Sequence, residues 1–460
     1  MRKKKIQYSD GKPTRREFFR LGCAAAANLV LLPWMSSRAE AQDLSPLEGT
    51  GLSHGCTVGG VTSDSAVVWL RAPKQERVSV QYGLEPSLKE FTATPALALR
   101  GESDFTANVC VNGLQPRTTY YYRAAVNGKS PGPVGHFVTA PGGDDLVDVQ
   151  FAFSGDSRQS YQPFLIMDAI REVRPDFFLH LGDTIYADRE WIAQRVGQFW
   201  AKYATNRSDP PTQRLFAETS VYVMWDDHEV ADNCDYSNPL APIGRKAFFD
   251  YWPVNRDPVN PDRLYRSYHW GKAAELFILD TRQYRDRAAG TILGKEQREW
   301  FLESLAASKA WFKIVATSVP FSSPGGDKWG GFPSDRDDVL RHIKEKKIAG
   351  VMFLAADVHY AAACKVPGEL GLKEFIAGPI GAPMGLALGY SRRFEFLSRN
   401  SFSYGLVKVR AQAPRPYVEI DLMNAGNQLL YRSRIEADSE RSGGRETDPG
   451  PGWRSRNEKE

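Results

Sequence analysis

The sequence predicts an α/β domain preceded by a small all-β sandwich, and two observations separate these parts. Between about residues 44 and 141, apolar and polar residues alternate in short runs bounded by Gly, Pro, Asp and Asn, and no helical periodicity lasts more than two turns. From 147 to 436, apolar runs of strand length alternate with amphipathic stretches of helical length. That second pattern is typical of buried strands connected by helices.

The composition is that of a folded globular protein, and its charge excludes one broad class of function. The chain has 460 residues, of which 42% are hydrophobic and 25% charged. The first 41 residues hold nine Lys and Arg but three Asp and Glu, which leaves 50 basic and 52 acidic residues in the remainder. A body so close to neutral lacks the basic surface that a phosphate backbone requires. We therefore expect no nucleic-acid partner.

Residues 1–41 are predicted to be a signal peptide. A basic leader precedes the apolar run from Leu21 to Trp34, and Ala39-Glu40-Ala41 offers a cleavage site of small residues. The segment Thr14–Arg20 contains Arg15-Arg16 and resembles the twin-arginine signal. The apolar run of 14 residues is shorter than the roughly 20 that span a bilayer. We expect the twin-arginine machinery to export the protein to the periplasm or the extracellular space without a stable membrane anchor.

The all-β part contains four clear strand patterns and two of the cysteines. The predicted strands are Ala66–Leu70, Arg77–Tyr82, Thr106–Val111 and Tyr120–Val126. The segment Gly113–Arg123 resembles a turn and strand of a fibronectin type III-like domain, which implies a module without chemistry of its own. Cys56 and Cys110 are the pair that an oxidising compartment would join, but free thiols remain an equal alternative.

Five buried strands of the second part each end on an acidic residue. The first acids after these strands are Asp156, Asp183, Asp226, Asp280 and Asp357. A single strand-end Asp is commonly a turn or capping residue, but the carboxyl ends of strands in α/β sheets form the ligand crevice. Carboxylates that meet there repel each other unless cations neutralise them. The set therefore predicts a site for more than one metal ion.

The motifs around these acids are more specific than the acids alone. They are Gly155-Asp156, Gly182-Asp183-Thr184-Ile185-Tyr186, Trp225-Asp226-Asp227-His228-Glu229-Val230-Ala231-Asp232-Asn233 and Ala356-Asp357-Val358-His359. This ordered set resembles the metallophosphoesterase superfamily and, within it, the alkaline phosphatase D family. The resemblance runs from the signal to about residue 432 and includes Arg207–Pro210 and Leu279–Arg285. It implies a four-layer α-β-β-α catalytic sandwich behind the fibronectin-like domain.

The resemblance also implies a role for each matching residue. The first metal would be held by Asp156, Asp183, Tyr186 and His359. Asp183 would bridge to a second metal, which Asp227 and Asp357 would complete. His228 would be the catalytic histidine and Asn233 a further contact. Independently, metal ions close together can share a hydroxide whose pKa is low enough for it to attack phosphorus, so the chemistry agrees with the pattern.

The donor set limits the identity of the metals. It contains five or six oxygen donors, one imidazole and no thiolate, which favours hard cations. The family resemblance implies Fe³⁺ and Ca²⁺, and a phenolate from Tyr186 would suit a ferric ion. Zn²⁺ or Mn²⁺ is the second choice.

Four further residues are predicted to contact the substrate. Arg158 stands where the wider superfamily has a His; it cannot bind a metal but can grip a phosphate, and we assign it to the catalytic set as well. Arg207 and Arg282 are candidates of the same kind, and Trp329 in the Gly-rich loop 321–334 could stack on an organic group. For each arginine a solvated surface position is the alternative, and for Trp329 it is a packed loop residue.

The leading hypothesis is an exported, metal-dependent phosphoesterase that hydrolyses phosphate monoesters and also diesters. One alternative keeps the site but makes the substrate a phospholipid or cell-wall diester, as in a phospholipase D-like phosphodiesterase. Another alternative is a secreted binding protein whose metal site is only structural. We expect a small phosphoester as substrate and a monomer in solution. The tail 437–460 is charged and without periodicity, so we expect it to be disordered.

Overall fold

The computed structural model describes residues 50–129, 132–386 and 393–437. The predicted signal peptide and the predicted tail from residue 438 onward lie outside these ranges. Within them, no helix combines the length and apolar character needed to cross a bilayer.

The described residues form six α-helices and 21 strands. The helices are α1 (Ile166–Glu172), α2 (Val196–Arg207), α3 (Pro210–Glu218), α4 (Ala241–Tyr251), α5 (Gly294–Ala307) and α6 (Pro333–Glu345). The first strands are β1 (Cys56–Gly59), β2 (Ser65–Arg71), β3 (Arg77–Gly83), β4 (Thr92–Ala93), β5 (Leu97–Ala98), β6 (Thr106–Asn112), β7 (Thr119–Val126) and β8 (Gly135–Val138). They are followed by β9 (Val149–Ser154), β10 (Phe177–Leu181), β11 (Ser220–Met224), β12 (Arg266–Trp270), β13 (Ala274–Ile278), β14 (Phe312–Ala316) and β15 (Val351–Ala355). The last are β16 (Ala361–Lys365), β17 (Lys373–Ile376), β18 (Phe394–Ser398), β19 (Ser403–Arg410), β20 (Tyr417–Asn424) and β21 (Leu429–Glu436).

Two large sheets face each other and carry helices on their outer sides. One sheet has the order β21-β20-β19-β9-β10-β11-β1-β2-β6, and the other has the order β12-β13-β14-β15-β17-β16-β18. Phe151 and Phe153 on β9 pack into the apolar layer between the sheets, while Ala152 packs among residues of the helices on the other face. On the second sheet, Phe277 packs instead with the cluster under α5 and α6. The predicted four-layer α/β class is confirmed.

Parallel pairing brings the ends of the central strands to one edge. β9, β10 and β11 pair in parallel, with Phe177 opposite both Phe151 and Ser220. β13, β14 and β15 are parallel as well. β10, β11, β13, β14 and β15 each have five residues, and every one of these residues is buried. This burial explains why the strands appear in the sequence as continuous apolar runs.

The predicted all-β region is confirmed, but it is joined to the catalytic sheet more closely than the sequence indicates. β1, β2 and β6 extend the nine-stranded sheet through a parallel bridge between Gly59 and Val221. A side chain at Gly59 would meet the Val221 carbonyl oxygen at 2.6 Å, so this approach requires glycine. The second sheet of the region contains β3, β4, β5, β7 and β8. β1 therefore covers the edge of β11, and the all-β region and the catalytic part share one continuous sheet.

Cys56 and Cys110, for which a bridge and free thiols were equal alternatives, are free thiols. Cys56 lies on β1 and Cys110 on β6, with β2 between them. Strands two positions apart in a sheet are separated by about 10 Å, which exceeds the span of a disulfide. The alternative of free thiols is therefore correct.

Candidate metal centre

The acids that follow four central strands lie together at one edge of the fold. Asp156 follows β9, Asp183 follows β10, Asp226 and Asp227 follow β11, and Asp357 follows β15 of the facing sheet. Asp156, Asp183 and Asp357 have positive φ angles of 67°, 53° and 66°. This left-handed conformation is uncommon for residues other than glycine and concentrates at functional sites. The backbone thus turns sharply at each acid.

A first group of donors contains Asp156, Asp183 and His359, with one ligand atom from each lying within 4.8 Å of the others. His359 Nε2 is 3.7 Å from Asp156 Oδ1 and 3.0 Å from the hydroxyl of Tyr186. The other ring nitrogen of His359 is 2.6 Å from the Pro383 carbonyl oxygen, which fixes the ring. All four residues predicted for the first metal therefore converge.

A second set of donors surrounds Asp227. Asp183, Asp227 and His228 form one group within the same 4.8 Å limit, and Asp226, Asp227 and Asp357 form another. Asp183 belongs to both the first group and this set. The structure thus places the residue predicted to bridge two metals between the two groups of donors.

Some acceptors in the cluster have no partner among the described residues. Asp156 Oδ2 and Asp227 Oδ1 are buried and accept no hydrogen bond. A side chain at Gly378 would meet Asp156 Oδ2 at 2.5 Å, so the backbone also closes around this oxygen. Buried carboxylate oxygens without donors are costly, and cations would satisfy them. The donor set of oxygens and imidazole therefore fits hard metal ions.

The electrostatics of the cluster agree with this fit. Burial, and then the neighbouring Asp357, raises the pKa of Asp156 well above its usual range. Burial, followed by Asp227, does the same to the pKa of Asp183. Burial opposes ionisation of Asp227 as well, but Arg282 and then His228 lower the pKa of that carboxyl. Without added positive charge, this many carboxylates would not all be ionised together.

His228 is oriented by contacts on both sides. Its Nδ1 lies 2.8 Å from Asp188 Oδ1, and its ring stacks on Tyr186 with centroids 4.1 Å apart. Its backbone N–H donates to Asp183 Oδ1 at 3.2 Å. Burial opposes protonation of the ring, but the Asp188 hydrogen bond, followed by Asp227, raises the pKa of His228 above its usual value. Since Asp188 fixes Nδ1, Nε2 is the ring atom available for proton transfer.

Glu229 is a structural anchor that the sequence reasoning missed. Its carboxylate accepts from the backbone N–H of Asp183 at 3.2 Å, Thr184 at 2.6 Å and Asp226 at 2.8 Å, and from the Thr184 hydroxyl at 2.6 Å. Burial raises the pKa of Glu229 to about 7. The side chain ties the loop after β10 to the loop after β11. Its place in the Asp-Asp-His-Glu box was visible in the sequence, but its partners were not.

One side of the cluster is positively charged. Arg282 Nη2 lies 3.1 Å from Asp226 Oδ2, 3.5 Å from Asp227 Oδ2 and 3.6 Å from Asp357 Oδ1. Lys328 forms ion pairs with Asp357 and, at 2.7 Å, with Asp327. Arg282 was predicted to contact the substrate, and the structure buries its guanidinium against these acids. Lys328 was not among the predicted site residues. Both cations partly neutralise the acids.

Arg158 and Asn233 also lie beside the cluster. The Arg158 guanidinium is 6.0 Å from the centroid of the Tyr186 ring, and its Nε pairs with Glu190 Oε1 at 2.8 Å. The backbone N–H of Asn233 donates to Asp227 Oδ2 at 2.5 Å. Asn233 thus positions a predicted ligand through its backbone, and Arg158 occupies the rim.

The prediction that Arg207 contacts the substrate is wrong. Its guanidinium donates to the Thr57 hydroxyl and the Tyr251 carbonyl and lies 4.0 Å from the centroid of the Trp252 ring and 4.6 Å from that of Trp69. The side chain is buried. An arginine enclosed by aromatic rings fastens α2 to the N-terminal strands and is closed to a substrate.

The prediction that Trp329 stacks on the substrate is also wrong. The side chain is fully buried, its ring centroid is 4.7 Å from that of Phe321, and its indole N–H donates to the Thr317 hydroxyl at 2.9 Å. An indole packed in this way belongs to the core under α5 and α6. The alternative of a packed loop residue is therefore correct.

Asp280 is the strand-end acid that does not join the donor groups. Its Oδ1 accepts from the Trp225 indole at 2.9 Å and from the backbone N–H of Arg282 and of Gln283 at 3.0 Å each. It therefore has the turn role that a single strand-end Asp commonly has.

Comparison with family models gives two matches that together cover most of the chain. The model described as PhoD-like phosphatase matches residues 151–395, and the model of the N-terminal domain of PhoD-like phosphatases matches residues 38–141. The first match contains all the donors described above.

Three individual proteins are similar to this chain. Alkaline phosphatase D of Bacillus subtilis (strain 168) is 27% identical over 374 residues, which are 66% of this chain and 64% of that protein. The structure of PhoD superposes with a TM-score of 0.75 at 22% identity, covering 85% of this chain and 91% of the other. The purple acid phosphatase PPD1 from yellow lupin (Lupinus luteus) gives a TM-score of 0.65 at 15% identity over 87% of this chain and 77% of that one. Both solved structures share its fold.

Proposed function

The chain belongs to the PhoD-like phosphatase family, and on this basis we propose that it is a metal-dependent hydrolase of phosphoric esters. The observation that carries the proposal is the position of Asp183, which belongs to two adjacent groups of metal donors. Metal ions that share a ligand lie close enough to act on one phosphoryl group. The unpartnered carboxylate oxygens of Asp156 and Asp227 support the same conclusion.

We propose a role for each residue of the site, and the geometry supports these roles. Asp156, Asp183, Tyr186 and His359 would hold one metal, and Asp183, Asp227 and Asp357 the other. Metal ions bound here would lower the pKa of the attacking water and neutralise charge on the phosphoryl oxygens. His228 holds a proton on Nε2 for the leaving oxygen or for a phosphoryl oxygen, while Asp188 orients the ring. Arg158 is placed at the rim to contact the phosphate or its ester group.

We propose Fe³⁺ and Ca²⁺ as the metals, with Zn²⁺ or Mn²⁺ as the second choice. The hydroxyl of Tyr186 lies 3.0 Å from His359 Nε2, beside the first group of donors. Burial, and then Asp183, raises the pKa of Tyr186 well above its usual range, so a bound cation such as a ferric ion would be needed to stabilise a phenolate here. Metal-loaded protein is expected to show a visible tyrosinate-to-iron absorption band. Tyr186→Phe is expected to abolish this band with little change in iron content. Colourless protein with full activity would contradict ferric iron.

We propose that the substrates are phosphate monoesters and also diesters. Purified protein supplied with Fe and Ca is expected to release nitrophenol from nitrophenyl phosphate and from bis-nitrophenyl phosphate. The relative rates measure the preference, and vesicles of phosphatidylcholine added as a third substrate test the phospholipid alternative. Retained metal without turnover of any of these esters would favour a binding protein.

We further propose export to the periplasm or extracellular space through the twin-arginine machinery. The support is the basic leader with Arg15-Arg16 and its short apolar run. Fractionation of producing cells tests this location, and recovery of the protein with the cytoplasmic fraction alone would contradict it.

A further inference from the structure

Arg285 is a buried arginine beside the cluster whose charge the proposed chemistry does not use. It follows Arg282 by three residues in the turn after β13, and its residue is 0% exposed. Its Nε donates to the Thr281 carbonyl at 2.8 Å, and its guanidinium lies 5.5 Å from the centroid of the Phe332 ring. These contacts fix the side chain but leave its two terminal nitrogens unused.

The terminal nitrogens of Arg285 have no acceptor. Nη1 and Nη2 are both buried without a hydrogen bond, and Arg285 has no ion pair within 4.0 Å among the described residues. Nη1 of Arg282 is likewise buried and unpartnered. A buried cation with unused donors is strongly unfavourable, so an acceptor is expected in the working protein. These three terminal nitrogens with unused N–H groups match the oxygens of an anion better than a single water.

The position of Arg285 relates this anion to the metal centre. The backbone N–H of Arg285 donates to the Arg282 carbonyl at 3.2 Å, and the Arg285 carbonyl accepts from the N–H of Tyr236 at 3.1 Å. Tyr236 lies three residues after Asn233, whose N–H holds Asp227. Burial and then Arg282 lower the pKa of Arg285 to about 10, while Asp226 and Asp227 act in the opposite direction. Arg285 is therefore connected, through the backbone of Tyr236, to the segment whose Asn233 N–H bonds Asp227.

We propose that Arg285, together with Nη1 of Arg282, forms an anion subsite that binds a second acidic group of the phosphoester substrate. The acidic group is an oxyanion, a carboxylate or a second phosphoryl group, close to the reacting ester. The inference rests on the proposed function, because the metal centre must bind the first phosphoryl group. Arg285 is 0% exposed, and its guanidinium lies against the Phe332 ring at the end of the Gly-rich loop 321–334. Binding of the second group therefore requires this loop to shift.

The test compares two substrates that differ in one group. The first is 3-phosphoglycerate, and the second is glycerol 3-phosphate, which has a hydroxymethyl group in place of the carboxylate. In the metal-loaded full chain, Arg285→Met is expected to raise KM for 3-phosphoglycerate by about 10-fold or more, the typical effect of losing a charged hydrogen bond. KM for glycerol 3-phosphate and both kcat values are expected to change by less than about 2-fold. Arg341→Met removes an exposed arginine of α6 that pairs with Asp338 and is expected to leave both substrates unaffected.

Inhibition by pyrophosphate and by inorganic phosphate tests whether the subsite binds a phosphoryl group or a carboxylate. Weaker inhibition by pyrophosphate in Arg285→Met, with inhibition by phosphate unchanged, is expected if the subsite takes a phosphoryl group. Arg285→Lys keeps the charge and is expected to retain part of the preference. Calorimetric binding of 3-phosphoglycerate in a His228→Ala background gives a readout that does not require turnover. There, Arg285→Met is expected to weaken binding by about 10-fold.

The proposal is overturned if Arg285→Met affects 3-phosphoglycerate and glycerol 3-phosphate equally, or affects neither, in both kinetics and calorimetry. A fall in melting temperature with equal loss of binding for both compounds would identify Arg285 as purely structural. If the wild-type protein hydrolyses neither these esters nor the two nitrophenyl esters but still binds 3-phosphoglycerate through Arg285, the proposed function fails while the anion subsite stands. The two failures are therefore distinguishable.

Discussion

Asp183→Asn is expected to reduce hydrolysis of nitrophenyl phosphate by about 1,000-fold or more, which corresponds to about 4 kcal/mol of transition-state stabilisation. Asp183 belongs to both groups of donors, so a neutral amide at this position weakens both proposed metal sites at once. Asparagine keeps the size of the side chain and an oxygen that can accept from the His228 N–H, which limits structural damage. The measurement is kcat together with metal content by elemental analysis, and both are expected to fall.

The control for this variant is Asp280→Asn, the same substitution at a strand-end acid outside the donor groups. The amide oxygen of asparagine can still accept from the Trp225 indole, so activity is expected to stay within about 3-fold of the wild type. If Asp183→Asn keeps more than a tenth of the activity, or if both variants lose it equally, the role assigned to Asp183 is wrong.

His228→Ala is expected to reduce kcat by about 100-fold to 10,000-fold, the range typical for loss of a general acid or base. Its ring is held by Asp188 at 2.8 Å and by stacking on Tyr186, so Nε2 has a defined direction for proton transfer. Asp188→Asn is expected to have a smaller effect, about 10-fold, because the imidazole remains but loses its charged partner. The measurement is kcat on nitrophenyl phosphate at saturating substrate.

Metal content distinguishes His228 from the proposed ligands. His228→Ala is expected to retain both metals, in contrast to Asp183→Asn. His269→Ala is the matched control, because His269 is an exposed residue of β12 whose ring pairs with Glu275. Loss of metal in His228→Ala would make His228 a ligand, and full activity in this variant would remove it from the mechanism.

Most of the candidate site could be predicted because local sequence and position in the sheet coincide. A buried parallel strand reads as an apolar run, so the residue that ends the run is identifiable, and parallel strands bring such residues to one edge. This reasoning placed Asp156, Asp183, Asp227 and Asp357 together. It also included Asp280, which follows the same pattern but serves a turn. The pattern alone therefore locates the edge of the sheet and does not separate ligands from turn residues.

The residues that could not be predicted depend on contacts between distant segments. Glu229 holds backbone groups from two loops, Lys328 reaches Asp357 from a Gly-rich loop, and Arg285 is buried beneath Phe332. Arg207 and Trp329 have the residue types of ligand-binding groups, yet tertiary packing encloses them. Composition and spacing carry no signal for such enclosure, because it results from segments that meet only in the folded chain.

The pairing of strands between the N-terminal region and the catalytic part could not be predicted from the sequence either. The strands of the N-terminal region were identifiable by alternation, but nothing in them indicates that β1 pairs with β11. The same uncertainty applied to the cysteines, since residues that are plausible partners in sequence lie two strands apart in the sheet. Strand order is set by tertiary packing, so a sequence that identifies the strands does not show which strands pair or which cysteines are neighbours.

Anomalous X-ray diffraction from crystals of the protein isolated from its producing cells would test the metal centre most directly. The account predicts two anomalous peaks, one between Asp156, Asp183 and His359 and the other beside Asp227 and Asp357. Both peaks are expected within about 2.0–2.6 Å of an Asp183 oxygen, the usual range for metal–carboxylate distances. An active crystal form without anomalous density at these positions, or with these acids far apart, would contradict it.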